Sequence, residues 1–421
     1  MKLISLIGIT ITGNRGAEAM LLTTIGRIRE KFPDYKFAVY SYYPKIDRAV
    51  LNKTGIFLYS STPSYLSLVL FPLSILMGIA KAFKLKMLYP LFPKSIQHLA
   101  ASKILIDLAG VSFMDGRKIF LPFDVLTIFP AMLMQVPVVK FSQAMGPFNQ
   151  FINKLCVNLF LKRCKKIFAR GERTFKYLQQ AYFENEKITM SADIVFLHKI
   201  GDTLTKENQD YADSIRDKLK EFKNNGAIII GICPSSFLAS KARKEDWDYP
   251  HFLCLIIRKF VAHNYKILLF PNATRDNKMD RLRNNDLPVI ANIIRKLKVE
   301  EEALLKSVVH IDRNINTDSI KQLIELTDIT VVSRFHAMIA SLTTKTPVFV
   351  LGWSHKYLEV MKQFSMEEWS CNYTDLNVEY VFNKINALLI NKNEARSVIE
   401  GKLPDIQQSS YRQLEYIFQV L

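Results

Sequence analysis

Thr330-Val331-Val332-Ser333-Arg334-Phe335-His336-Ala337-Met338 decides how the chain is read. A β-branched run stops at Ser-Arg-Phe-His, and an apolar, helix-like run follows. The pattern predicts a strand, a tight turn and a helix start. In open α/β sheets ligands bind beyond the carboxyl ends of the strands. A turn there offers backbone N–H groups to an anion. Arg334 adds a planar cation suited to phosphate or carboxylate. His336 adds the side chain that titrates nearest neutrality unaided. An anion grip and a proton shuttle two residues apart suggest group transfer from an anionic donor. The plain alternative, an arginine and a histidine that merely sit at a helix start, stands beside it.

Outward from this stretch, the second half repeats the pattern. Ala227–Pro234, Lys266–Pro271, Val308–His310, Ile329–Val332 and Val348–Val350 read as strands, with helices over 252–262, 317–326 and 335–342. Pro234-Ser235-Ser236 and Pro271-Asn272 occupy strand ends facing the same way as Ser333-Arg334, and Trp353-Ser354-His355-Lys356 sits at the next strand end. One sheet edge is thus expected to gather Ser235, Ser333, Arg334, His336, His355 and Lys356. That set is cationic and rich in donors.

The first half opens with a buried strand, Leu3 to Thr12, a turn at Gly13-Asn14-Arg15-Gly16 and a helix over 17–30. The turn lacks the third glycine of a dinucleotide fingerprint. Asn14 and Glu18 are candidates to address a ligand, the alternative being a plain βα turn. Further strands are predicted at 36–41, 55–59, 103–110, 136–141 and 166–169, with helices over 121–134 and 151–165. Asp115 falls in the loop after the 103–110 strand, Gln143 at the end of the 136–141 strand, and Arg170 between a strand and a helix. Repeated βα units imply mostly parallel sheets covered by helices. The fold class is therefore α/β: two facing Rossmann-like domains in a GT-B-like glycosyltransferase architecture. Boundaries are placed at 1–200 (acceptor side), 201–400 (donor side) and 401–421, the last a helix returning to the first domain.

Lys and Arg number 57 against 39 Asp and Glu, a net charge of +18, which favours anionic partners. No zinc finger, RNP motif or aromatic-plus-basic repeat supports nucleic acid. No metal-ligand set or Ser nucleophile elbow is present either. Five scattered cysteines without a C-x-x-C suggest a reduced compartment. No cleavable signal is read at the start, so the cytoplasm is the expected location. Residues 65–80 are almost wholly apolar and Lys81, Lys84, Lys86 and Lys94 follow. As a helix this run measures about 24 Å, short of a bilayer core. With Pro72 and Gly78 weakening a continuous helix, 65–92 reads as a segment lying in the membrane interface. A core helix or a dimer face is the alternative.

Six motifs in order resemble the polysaccharide pyruvyl transferase family. They are Gly13-Asn14-Arg15-Gly16-Ala17-Glu18-Ala19, Ser142-Gln143-Ala144-Met145-Gly146-Pro147, Ala169-Arg170-Gly171-Glu172-Arg173, Ser191-Ala192-Asp193-Ile194-Val195-Phe196, Ser333-Arg334-Phe335-His336 and Trp353-Ser354-His355-Lys356-Tyr357. The chain departs from the family's pattern at Phe335, often leucine, and at Ala109-Gly110-Val111, often three glycines. The resemblance implies transfer of pyruvate from phosphoenolpyruvate to sugar hydroxyls, with no cofactor beyond that co-substrate. It implies Arg334, His336 and Arg170 as active-site residues. Ser333, Arg334, Ser235, His355 and Lys356 are expected on the donor, and Asn14, Glu18, Asp115 and Gln143 on the acceptor. A lipid-linked saccharide acceptor and a peripheral position on the inner face of the cytoplasmic membrane go with that reading. The alternatives are a GT-B glycosyltransferase using a nucleotide sugar and a non-catalytic membrane-associated scaffold.

Overall fold

A computed structural model describes residues 2–51, 56–202, 208–275, 284–352, 354–375 and 377–421. The chain divides into two units. The first comprises residues 1–12, 17–198 and 407–421, and the second residues 13–16 and 199–406. The tetrapeptide Gly13–Gly16 thus clusters with the second unit, although the strand before it and the helix after it belong mainly to the first.

The sheet of the first unit contains β1 (Leu3–Ile9), β2 (Lys36–Ser41), β3 (Phe57–Ser60), β4 (Leu105–Asp107), β5 (Val138–Gln143), β6 (Lys166–Arg170) and β7 (Ile188–Ser191). Their order is β3-β2-β1-β4-β5-β6-β7, every pair parallel. The inner strands are buried along almost their whole length because helices cover both faces. Leu6 of β1, fully buried, pairs with Val39 on one side and Ile106 on the other. The last helix, Lys392–Val420, adds its residues from Gln407 onward to this unit. There the Gln413 amide accepts from the Ser142 N–H at 2.7 Å and donates to the Ala192 carbonyl at 3.0 Å.

The second unit holds β8 (Ile229–Cys233), β9 (Lys266–Leu269), β10 (Val308–His310), β11 (Ile329–Val332), β12 (Val348–Gly352) and β13 (Ser370–Asn372). Their order is β10-β9-β8-β11-β12-β13, again all parallel. In both sheets the chain begins in the middle, winds outward one way and then returns to wind the other way. The reversal falls between β1 and β4 in one unit and between β8 and β11 in the other. Those two places are topological switch points, where adjacent connections leave to opposite faces and open a crevice at the strand ends.

The apolar segment after β3 departs from expectation. Helical backbone runs without a break from Pro63 to Ala82, about 30 Å. Pro72 does not interrupt it. A single wide turn over Leu66–Leu70 precedes the proline, placing it in the first turn of the next helical piece, where a missing N–H is tolerated. Gly78 is needed for contact rather than as a break, since a Cβ there would stand 2.5 Å from the Leu133 carbonyl oxygen. Elsewhere, the helix expected over 121–134 is two short pieces, Leu121–Leu126 and Phe129–Leu133, and that expected over 151–165 ends at Leu159. Pro130 at the start of the second piece accounts for the first of these breaks.

Candidate functional site

Strand β11 delivers Ser333 and Arg334 to the switch point of the second unit. Helix Phe335–Thr343 begins at once, with Arg334 as its extended N-cap residue. This helix is apolar all round because it is buried: Phe335, Ala337, Met338, Ile339, Ala340 and Leu342 are all inside. Its rigid seating fixes His336 in the first turn, where backbone N–H groups have no intrahelical acceptor.

The Arg334 guanidinium is already engaged. Its Nε donates to both Asp286 carboxylate oxygens at 3.0 Å, Nη1 to Asn284 at 2.7 Å, and Nη2 to Ser236 Oγ at 2.9 Å and to Asp286. Asp286 is fully buried and also accepts from the backbone N–H groups of Ser236, Asn272 and Ala273. Burial works against the arginine's charge, but the adjacent carboxylate outweighs it, so the guanidinium holds its proton more tightly than usual. Arg334 therefore ties together the loops after β8, β9 and β11. Its charge is balanced within the frame, where the sequence suggested an open anion grip.

Ser333 and Ser235 are likewise structural in their side chains. Ser333 Oγ takes the Tyr249 hydroxyl proton at 2.8 Å, and burial raises that tyrosine far above its ordinary range, so it remains a donor. Ser235 is buried and caps helix Ser236–Lys244 through the Leu238 N–H. Lys356 is half-buried, its ammonium 5.1 Å from the Phe335 ring centre and 5.6 Å from that of Tyr357. The Tyr357 hydroxyl donates to the Ser333 carbonyl at 3.1 Å. His355 opens helix His355–Gln363 beside them, half-buried.

The Gly13–Gly16 tetrapeptide completes this cluster. The Arg15 N–H donates to the Asn272 carbonyl at 2.9 Å, Arg15 Nη1 to the Ile315 carbonyl at 3.0 Å, and Thr317 Oγ1 to the Arg15 carbonyl at 3.0 Å. The Asn14 carboxamide oxygen accepts the Gly16 N–H at 3.0 Å, closing the turn. A Cβ built on Gly16 would stand 2.0 Å from His336 Nδ1 and 2.3 Å from its Cγ. Only glycine lets the imidazole lie so close to the backbone. His336 is thus positioned from behind by Gly16 and from below by its own buried helix.

In the first unit Arg170, Gln143 and Asp115 also serve the frame. Arg170 pairs with buried Asp193 at 2.7 Å and donates to the Gly110 carbonyl at 2.8 Å. Gln143 donates to the Asp107 carbonyl at 2.8 Å and accepts from Ser112 at 2.8 Å. Asp115 accepts from the Asn149 and Gln150 N–H groups and from Asn153. The three together hold the loop after β4. Glu18 is buried in the first turn of helix Arg15–Lys31. The described residues missed by sequence reasoning are Arg15, Gly16, Asp286 and Thr317, whereas Asn272 stands at a strand end as expected. Arg15 and Gly16 stood inside a motif already singled out. Asp286 precedes a proline-started helix and reads as nothing more than a cap.

A profile of the polysaccharide pyruvyl transferase family matches residues 14–355, from within the Gly-Asn-Arg-Gly turn to His355. The chain belongs to the polysaccharide pyruvyl transferase family. The amylovoran biosynthesis protein AmsJ of Erwinia amylovora is 21% identical over 295 residues, 69% of this chain, and the match spans 66% of AmsJ, just under two thirds of its length. Solved structures share the GT-B-like fold at low identity. The UDP-GlcNAc 2-epimerase of Neisseria meningitidis, bound to UDP-GlcNAc, matches with a TM-score of 0.61 at 12% identity, covering 100% of both chains. A Rickettsia africae glycosyltransferase matches with 0.56 at 11%, covering 100% of this chain and 98% of its own. For this pyruvyl transferase family member those likenesses speak to the fold alone.

Proposed function

We propose that the protein transfers pyruvate from phosphoenolpyruvate to two hydroxyls of a saccharide, forming a cyclic ketal during the building of a cell-surface polysaccharide. The family match carries this reading, because its span takes in Asn14 to Gly16, His336 and His355, which the second unit gathers at its strand ends. His336 is the proton-transfer group. His336 gives a proton to C3 of the enol, which makes C2 electrophilic, and a saccharide hydroxyl adds at C2 and returns its proton to His336. The C2–O bond to phosphate then breaks, the second hydroxyl closes the ring at C2, and its proton departs with the inorganic phosphate.

With Arg334 committed to Asp286, the donor's negative charge falls to other groups. The N–H groups in the first turn of helix Phe335–Thr343 and the Lys356 ammonium are the candidates, with His355 beside them. Arg334 supports them as a positioning residue. The acceptor is a saccharide on a lipid carrier, in keeping with assembly of such polymers at a membrane.

Incubation of the protein with phosphoenolpyruvate and lipid-linked saccharide tests the reading. Inorganic phosphate released only when saccharide is present supports it. Nucleotide released from a UDP- or GDP-sugar, with phosphoenolpyruvate left intact, replaces it with glycosyl transfer.

A further inference from the structure

The first unit carries a broad apolar face that no described residue covers. Helical run 63–82 turns Leu66, Leu70 and Met77 into the core and leaves Leu68, Leu76 and, just beyond its end, Phe83 outside. The short turn Lys86–Leu91 adds Met87, 92% exposed, and Leu91, 79% exposed. Helix Leu121–Leu126 packs against both the Leu66–Leu70 turn and helix Phe151–Leu159, and all three contribute to one core cluster. These neighbours expose Ile119, Phe151, Ile152 and Leu155. Burying so many large apolar side chains is favourable wherever a less polar medium is offered.

Charge identifies that medium. Residues 48–171 contain sixteen Lys and Arg but three acids, Asp107, Asp115 and Asp124, so this stretch carries most of the chain's excess of +18. All three acids are turned to internal partners. Asp107 pairs with buried Lys140, Asp115 accepts from Asn149, Gln150 and Asn153, and half-buried Asp124 accepts from the Phe113 N–H. Lys84, Lys86, Lys94, Lys118 and Lys154 are exposed around the apolar residues. An apolar surface fringed by lysines, with its carboxylates turned inward, is complementary to anionic headgroups over acyl chains. A second copy is a poor occupant, because a two-fold contact would set this cationic fringe against itself. Helix 63–82 is long and apolar enough to cross a bilayer, but its inner residues are fixed in the unit's core. It therefore lies along the surface.

We propose that this face, built from residues 63–92, 118–126 and 151–159, docks the protein on an anionic lipid bilayer. The docking stands apart from the pyruvyl-transfer reading and is tested without activity.

The full chain is floated with vesicles of phosphatidylglycerol and phosphatidylethanolamine, and in parallel with vesicles of phosphatidylcholine alone. Two variants are compared, Leu76→Ser with Met87→Ser and Phe151→Ser, and Lys84→Glu with Lys86→Glu and Lys118→Glu. All six positions are exposed, and unchanged thermal melting checks that each variant folds. The expected result is flotation with the phosphatidylglycerol vesicles, reduced about tenfold or more in either variant, and weak flotation with phosphatidylcholine. Equal flotation of wild type and variants overturns the proposal, as does failure of the wild type to float. Lipid-free self-association that the serine variant abolishes, with no flotation of the wild type, overturns it in favour of a second copy.

Discussion

His336 owes its place to a residue with no side chain. Replacing His336 by alanine is expected to lower turnover of phosphoenolpyruvate at least about a hundredfold, the usual worth of a general acid–base group, while leaving thermal unfolding nearly unchanged. Gly16→Ala is the sharper variant. Its Cβ cannot share space with the imidazole, 2.0 Å from Nδ1. Turnover is expected to fall at least about tenfold with little change in the KM for phosphoenolpyruvate, since the alanine moves the proton-transfer group and touches no anion contact. Arg334→Lys behaves differently. Lysine keeps the charge but cannot fill the fork of bonds to Asp286, Asn284 and Ser236. Denaturant unfolding is expected to report a loss of about 2–3 kcal/mol, beyond any effect on donor binding. The placement of Arg334 and His336 at a strand end was legible because strand, turn and helix lie in nine consecutive residues. Arg334's partner was not, because Asp286 lies forty-eight residues earlier and only the packed loops bring it close.

The elements were legible where burial leaves a mark on the sequence. Strands with helices on both faces read as apolar runs, which is why β1, β4, β5, β8 and β11 stood out. Edge strands β7 and β13, Ile-Thr-Met-Ser and Ser-Cys-Asn, were not expected, because an edge needs less apolar cover and leaves a weaker pattern. Helix 63–82 reads too short in the sequence because the wide turn that accommodates Pro72 leaves no mark there. Helix Leu121–Leu126 holds a pH-sensitive group. Burial raises the Asp124 carboxyl from its ordinary 3.8 to about 6, against the Phe113 N–H that it accepts. A carboxyl raised in the folded state favours folding when protonated, so that contribution is complete below pH 4 and lost as pH rises through 6. Asp124→Asn is therefore expected to match the wild type in stability near pH 4 and to exceed it at pH 8. The gain is at most about 3 kcal/mol, because each tenfold change in proton affinity between the folded and unfolded states is worth about 1.4 kcal/mol. Denaturant melts at the two pH values measure the difference.

At the scale of the whole molecule, two parallel sheets repeat one winding, and each reverses between its first and fourth strands. That repetition made the two-unit α/β fold readable from the rhythm of strands and helices. It did not reveal that residues 13–16 are held by the loops of the second unit, since Asn272, Ile315 and Thr317 lie more than two hundred and fifty residues away in sequence. The proposal of pyruvyl transfer rests on the family match, whose motifs bring Gly16, His336 and His355 to one switch point. The direct measurement is mass spectrometry of lipid-linked saccharide after incubation with enzyme and phosphoenolpyruvate. A gain of about 70 Da is expected for each ketal formed, with one deuterium in the new methyl group when the reaction is run in heavy water, and no gain with His336→Ala. A saccharide unchanged by the wild type, or altered equally by the His336→Ala variant, would contradict the proposal.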